Sequence, residues 1–357
     1  MLNSIQYLRA IAALMVVYHH AAGQFERIAP GGPQLPLAWL GAAGVDIFFV
    51  VSGLLMWSTT VGRDVGPGTF MVRRIRRIVP LYWAVTLGVA ALALVAPRLF
   101  VSTKFDLAHL AASLAFLPFP SPLQPEHLWP VVIPGWTLNY EMFFYAIFAL
   151  CLLAPERARM ALIAGVLAVL VLSGVLFAPS NPYLAFYTDK IMLGFVFGLV
   201  VARLAERVRI PTPAAFLSAV AGFLLMAAVR SEHSLAWSFG SMLVVLGFVA
   251  LETNGRMAKL PLLAIGNASY SIYLTHVLIL PGVGKAFLAV TRNTATVPVA
   301  IVFTFACLLV ATAFGLLVYR LLEAPVDRYL RSEGARDFNI PPRLLAKMPK
   351  RASRTGP

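Results

Sequence analysis

Of 357 residues, 60% are hydrophobic and 12% charged, and the mean hydropathy of +0.81 is too high for a soluble domain, so the sequence reads as an integral membrane protein. The net charge of +14 would point to nucleic acid in a soluble protein; in a membrane protein the question is where Lys and Arg lie relative to the spans. Cys151 and Cys307 stand far apart in apolar runs without His or Cys at ligand spacing, so neither a disulfide framework nor a zinc site is expected.

Apolar runs long enough to cross a bilayer occur at 4–23, 39–61, 78–97, 136–154, 160–178, 187–202, 214–230, 236–252, 262–281 and 298–321. They predict an all-α polytopic bundle of about ten transmembrane helices. The first run lacks the charged n-region of a signal peptide and is interrupted by Arg9 and the pair His19 and His20, so it is read as a span. With the N-terminus in the cytoplasm, 21 of the 29 basic residues fall inside, and only Arg27, Arg98, Lys104, Arg230, Lys285 and Arg292 fall outside. That asymmetry predicts both termini in the cytoplasm and removes the nucleic-acid reading. The apolar stretch Leu107 to Leu117 is too short to span and is followed by Pro118, Pro120, Pro122 and Pro125. It is expected to be a re-entrant or interfacial segment near 107–118, because a full span there would invert every later loop. Residues 1–326 are expected to form the transmembrane domain and 327–357 a basic, disordered cytoplasmic tail lying against anionic lipid.

Charged residues inside such spans need a reason. Arg9 and His20 are eleven positions apart, which on a helix is about 16 Å along the axis and about 20° around it. Snorkelling of each to its nearer interface is the bland alternative. His19 is turned about 100° away from His20 and leaves that face. Asp46 and Glu141 are the two acids well inside predicted spans, and both lie in the outer half with His20. Two carboxylates and an imidazole in one layer are the base and orienter that acyl transfer needs. His276 reaches a similar depth. A metal centre among these residues lacks HxxxH or Glu-x-x-His spacing, so no metal is expected. On the inner side, Arg73, Arg74, Arg76 and Arg77 crowd into five residues just ahead of a span and contain no lysine, a composition suited to phosphate as well as to topology.

Taken in order, these stretches resemble the membrane acyltransferases of the acyltransferase-3 type, and within it the exopolysaccharide-production acetyltransferases. The matching pieces are Gln6 to Ala13 with His20, Gly44 to Gly53, Arg73 to Trp83, Gly135 to Tyr145, Ile265 to His276 and Glu323 to Pro325. The resemblance implies transfer of an acyl group, usually acetyl from cytoplasmic acetyl-CoA, to a glycan hydroxyl at or beyond the far side of a bacterial inner membrane. The Arg-x10-His motif falls on Arg9 and His20, the basic motif on Arg73 to Arg77, and the acid after Trp-x-Leu on Glu141. Arg9, Arg73, Arg74, Arg76 and Arg77 are then expected to hold CoA, while Trp136, Tyr140 and His276 meet the acceptor. His20, oriented by Glu141 or Asp46, is expected to act as general base or acyl relay. One departure is Leu193-Gly194-Phe195, where the pattern has Glu-Phe before a glycine. The short tail without an appended esterase-like domain matches the stand-alone form. The rival reading is a transporter of polysaccharide or lipid-linked sugar, against which stands the lack of inverted repeats and paired broken helices.

Overall fold

The computed structural model describes residues 2–95, 104–257, 260–291 and 296–332, and among these every regular element is helical. The helices are α1 (Asn3–Ile28), α2 (Ala43–Thr60), α3 (Pro67–Val95), α4 (Leu107–Leu114), α5 (Trp136–Cys151), α6 (Glu156–Phe177) and α7 (Pro182–Tyr187). They continue as α8 (Leu193–Arg207), α9 (Thr212–Ala228), α10 (Leu235–Thr253), α11 (Leu263–Asn267), α12 (Ser269–Thr291), α13 (Val297–Val318) and α14 (Ala324–Ser332). A 3-10 turn, Ala38–Ala42, leads into α2.

Each of the ten predicted runs falls on a helix. Among the described residues, seven stretches are long and apolar enough to cross a membrane: Ala38–Thr60, Pro67–Val95, Glu156–Phe177, Pro182–Arg207, Leu235–Thr253, Ser269–Val290 and Val297–Leu330. The other three fall short for different reasons. Helix α1 has the length, at 26 residues, but carries Gln6, Arg9, His19 and His20. Helices α5 and α9 are apolar but have only 16 and 17 residues, about 24–26 Å at 1.5 Å per residue.

Helix α1 lies at the centre of the bundle, packed against α2, α10, α11, α12 and α13. Its first turn is held by the Glu252 carboxylate of α10, which accepts the backbone N–H groups of Asn3 at 2.8 Å and Ser4 at 2.7 Å. Negative charge at a helix start is favourable, and here it fixes the level of Arg9 within the bundle. Helix α6 buries only Ile163, Leu167 and Val171, one stripe at four-residue spacing, and leaves the rest of an apolar surface outward.

Two expectations change, and a third, that the segment near 107–118 is too short to span, is kept. The helix carrying the arginines begins at Pro67, so Arg73 to Arg77 are helical instead of preceding the helix. Helix α4 has eight residues, about 12 Å, so it does not span, and it docks on α3 through Trp83 Nε1 donating to the Leu114 carbonyl at 2.9 Å. At the other end of the chain, α13 passes through a π-helical turn, Tyr319–Glu323, into α14, so residues 327–332 of the expected disordered tail are helical. Residues 333–357 lie outside the described residues.

Candidate functional site

The π turn carries Glu323 into the bundle, where it is buried and pairs with Arg77 at 2.6 Å while accepting from Ser271 Oγ at 2.5 Å. Such turns add a residue to one helical circuit and recur at functional sites. Beside this pair lies a cavity of about 220 Å³, whose lining includes Arg9, Arg74, Arg77, Ser52, Glu141 and Tyr145. Two of the four clustered arginines reach it. Arg74 and Arg77 are three residues apart and share a face of α3; Arg76 lines a separate, smaller pocket and donates to the Leu330 carbonyl at 3.4 Å, and Arg73 lines neither. Arg74 is buried with its guanidinium 5.5 Å from the centre of the Phe70 ring. Arg9 is joined only to Gln6 Oε1, at 3.4 Å, among the described residues. Three guanidiniums therefore meet around one space, and one of them lacks a carboxylate partner. That donor set fits the phosphates of an anionic ligand. Among the described residues no three His, Cys, Asp or Glu side chains gather as a metal-binding group.

Glu141 sits in the same cavity. It accepts from Ser52 Oγ at 3.0 Å and from the Tyr145 hydroxyl one helical turn on. These are its partners in place of the expected His20.

His20 is absent from the cavity lining. Its Nδ1 lies 2.9 Å from the Val16 carbonyl and 3.2 Å from Nε2 of the fully buried His276. His276 Nδ1 in turn lies 2.7 Å from the Tyr273 carbonyl. A carbonyl only accepts, so His276 Nδ1 carries its proton and its Nε2 is the acceptor for His20 Nδ1–H. His20 Nε2 is left with the free lone pair. Tyr273 also lines the cavity and its hydroxyl meets Thr137 Oγ1 at 2.9 Å, so the ordered path runs from cavity to Tyr273, His276 and His20. The orienting group for His20 is thus His276 together with the Val16 carbonyl, instead of Glu141 or Asp46.

Asp46 is fully buried and faces elsewhere, accepting from Ser238 Oγ at 3.1 Å and His233 Nδ1 at 3.1 Å. His233 was not among the expected site residues. It lies 187 positions from Asp46 in a connection between α9 and α10, and no local pattern marks it. Burial opposes its charged form, but the hydrogen bond to Asp46 and the charges of Asp46, Glu232 and Asp189 outweigh that and raise its pKa. Trp136 and Tyr140 belong to this neighbourhood: the Trp136 ring centre is 5.4 Å from that of His233 and 5.9 Å from that of Tyr140, which stacks on Phe186. His276, expected beside them, is in the separate pair with His20.

The helical bundle thus holds an arginine-lined cavity toward one end of α1 and the pair His20 and His276 toward the other. Residues 2–316 match the acyltransferase domain family, and the chain belongs to this acyltransferase-3 family. It is 38% identical over 296 residues to the exopolysaccharide production protein ExoZ of Rhizobium meliloti, spanning 81% of this chain and 90% of that one. It is 28% identical to the putative membrane-bound transacylase BcsY of Komagataeibacter xylinus, over 77% of this chain and 72% of that one. To the peptidoglycan O-acetyltransferase OatA of Listeria monocytogenes it is 26% identical over 76% of this chain and 48% of that protein. No solved structure matches. Family membership decides for an acyltransferase over the transporter alternative.

Proposed function

We propose that the protein is a membrane O-acetyltransferase that moves an acetyl group from cytoplasmic acetyl-CoA to a hydroxyl of an extracytoplasmic or lipid-linked glycan, modifying an exopolysaccharide in a bacterial inner membrane. The observation that carries the reading is the convergence of Arg9, Arg74 and Arg77 on one cavity, on the same helix α1 that presents His20 eleven residues further on. Likeness to an exopolysaccharide production protein supports the acceptor class. In this reading all ten predicted runs span: the polar residues of α1 are covered by its neighbouring helices, and the short α5 and α9 are matched by local thinning of the bilayer.

Arg9, Arg74 and Arg77 hold the phosphates of the donor, which supplies an acetyl thioester. Glu323 keeps Arg77 on the cavity wall. Glu141, held by Ser52 and Tyr145, balances the guanidiniums and orders the inner cavity. His20 Nε2 takes the proton of the acceptor hydroxyl as its oxygen attacks the thioester carbonyl, and the proton leaves with the thiol. His276 and the Val16 carbonyl keep Nδ1 protonated, so Nε2 is the basic nitrogen throughout.

Membrane vesicles supplied with labelled acetyl-CoA and polysaccharide test this directly. His20→Ala is expected to abolish label transfer while the protein stays in the membrane; transfer at the wild-type level would overturn the assignment. His276→Ala should lower the rate by about 10²-fold, the size of effect expected when a catalytic base loses its orienting partner.

A further inference from the structure

The buried Asp46 and its partner His233 are left unused by the mechanism above, and several features mark them as more than a packing detail. A carboxylate with no exposed surface is costly unless it is firmly bonded, and Asp46 uses both oxygens, one on Ser238 and one on His233. His233 adopts φ of +49°, in the left-handed region that non-glycine residues seldom occupy. It is held there from below: Trp237 Nε1 donates to the carbonyls of Met226 at 3.0 Å and Val229 at 2.7 Å, and Ser234 Oγ accepts the Trp237 N–H at 3.3 Å, fixing the turn from α9 into α10. With Nδ1 turned to Asp46, the Nε2 of His233 has no protein partner among the described residues, and 24% of the side chain is exposed. Aromatic rings flank it. Trp136 stands edge-on at 5.4 Å, and the buried Trp237, at 6.4 Å, stacks behind it on Trp39, whose ring carries the Arg230 guanidinium at 5.6 Å.

We propose that His233, held by Asp46 and flanked by Trp136, is a subsite for the glycan acceptor, in which His233 Nε2 pairs with a sugar hydroxyl and the half-buried Trp136 indole takes the apolar face of the ring. A hydroxyl both donates and accepts, so it suits this nitrogen in either protonation state. An indole offers apolar area at little entropic cost beside a polar partner. The position also suits an acceptor. Val45 and Thr137, the chain neighbours of Asp46 and Trp136, line the arginine cavity, so subsite and donor cavity lie back to back across α2 and α5. The turn Ala38–Ala42 links it to the catalytic side, because the Ala38 carbonyl meets His19 Nδ1 at 3.0 Å and the His19 ring lies 5.2 Å from that of His20. A polymer lying across this turn places one sugar at His233 and another near His20. This subsite rests on the acetyltransferase reading for its substrate class, though binding can be tested without transfer.

The decisive variant is His233→Asn. An asparagine amide occupies the place of Nδ1 and can still donate to Asp46, and asparagine tolerates the left-handed backbone, but it has nothing at the place of Nε2. The probe is end-labelled fragments of the host's chemically de-O-acetylated exopolysaccharide, titrated by fluorescence anisotropy onto detergent-solubilised protein without acetyl-CoA. His233→Asn and Trp136→Leu are each expected to weaken binding by about tenfold or more, the scale of one lost hydrogen bond or stacking contact, with acetyl-CoA affinity within about twofold of wild type. Wild-type affinity for the fragments in both variants, or no binding of fragments by the wild-type protein, overturns the subsite. Wild-type protein that binds the fragments but transfers no acetyl group leaves the subsite standing and overturns the proposed reaction.

Discussion

Arg74 and Arg77 line the cavity and Arg73 and Arg76 do not, so the four arginines should separate in a binding experiment. Arg74→Ala is expected to weaken acetyl-CoA binding by about tenfold or more, since a hydrogen bond between charged groups contributes about 1.5–3 kcal/mol, whereas Arg73→Ala and Arg76→Ala should change it by less than about threefold. Unchanged binding at all four positions, measured by titration calorimetry in detergent, would return the cluster to a topology signal, and equal losses would mean that its summed charge and not its cavity-lining pair holds the donor. The sequence singles out all four because residue type and crowding are visible in it; which two line the cavity is legible only from the packing, since Arg73 lies one helical turn from Arg77 and spacing alone does not separate them. The same limit hid His233: a pair 187 residues apart leaves no local pattern, although its partner Asp46 stands out as a buried acid. That pair makes stability depend on pH. Because the folded state raises the pKa of His233, its contribution is fully present below the unfolded-state value of about 6.5 and is lost as pH rises through the folded value. Asp46, Glu232 and Asp189 are the charges that set it. The wild-type melting temperature should therefore fall more between pH 6 and pH 9 than that of His233→Asn; parallel curves would remove the ion pair from the account.

At the scale of the helices, the site depends on backbones that approach closely. Helices α2 and α8 meet at Gly53 and Gly198, and a Cβ on Gly198 would lie 2.7 Å from the Leu54 nitrogen and 2.8 Å from Gly53 Cα. Small residues at such crossings replace the hydrophobic drive that lipid does not supply. Gly198→Ala must push α2 away from α8, at a cost of about 1–3 kcal/mol, and Ser52, which holds Glu141, directly precedes Gly53. The expected result is a lower melting temperature together with reduced transfer; unchanged values for both would show that the crossing relaxes freely. Apolar run length made the ten long helical stretches visible in the sequence, because backbone polar groups in lipid must be satisfied within the helix itself, whereas the short α7 and α14 were not visible. The π turn Tyr319–Glu323 was not visible, since one extra residue in a circuit changes no composition, yet it is what turns Glu323 onto Arg77.

For the molecule as a whole, the proposed reaction stands on orientation, because acetyl-CoA is cytoplasmic and the glycan is not. The basic residues favour an arginine cavity opening to the cytoplasm, and the connection between α2 and α3 lies at that end with Gly62 N–H donating to Glu156 at 2.8 Å. The connection between α9 and α10, carrying His233, then opens outward. Asp64 and Ser231 are exposed residues in these two connections. In a background with Cys151→Ser and Cys307→Ser, Ser231→Cys should react with a membrane-impermeant maleimide on intact spheroplasts, and Asp64→Cys only after permeabilisation. The reverse pattern would place the three guanidiniums outside, away from any CoA pool, and the donor assignment would fail even with every local contact intact. Reaction at both positions before permeabilisation would mean that an aqueous route joins the two faces, in which case the division between Arg9 and His20 along α1 would no longer separate donor from acceptor.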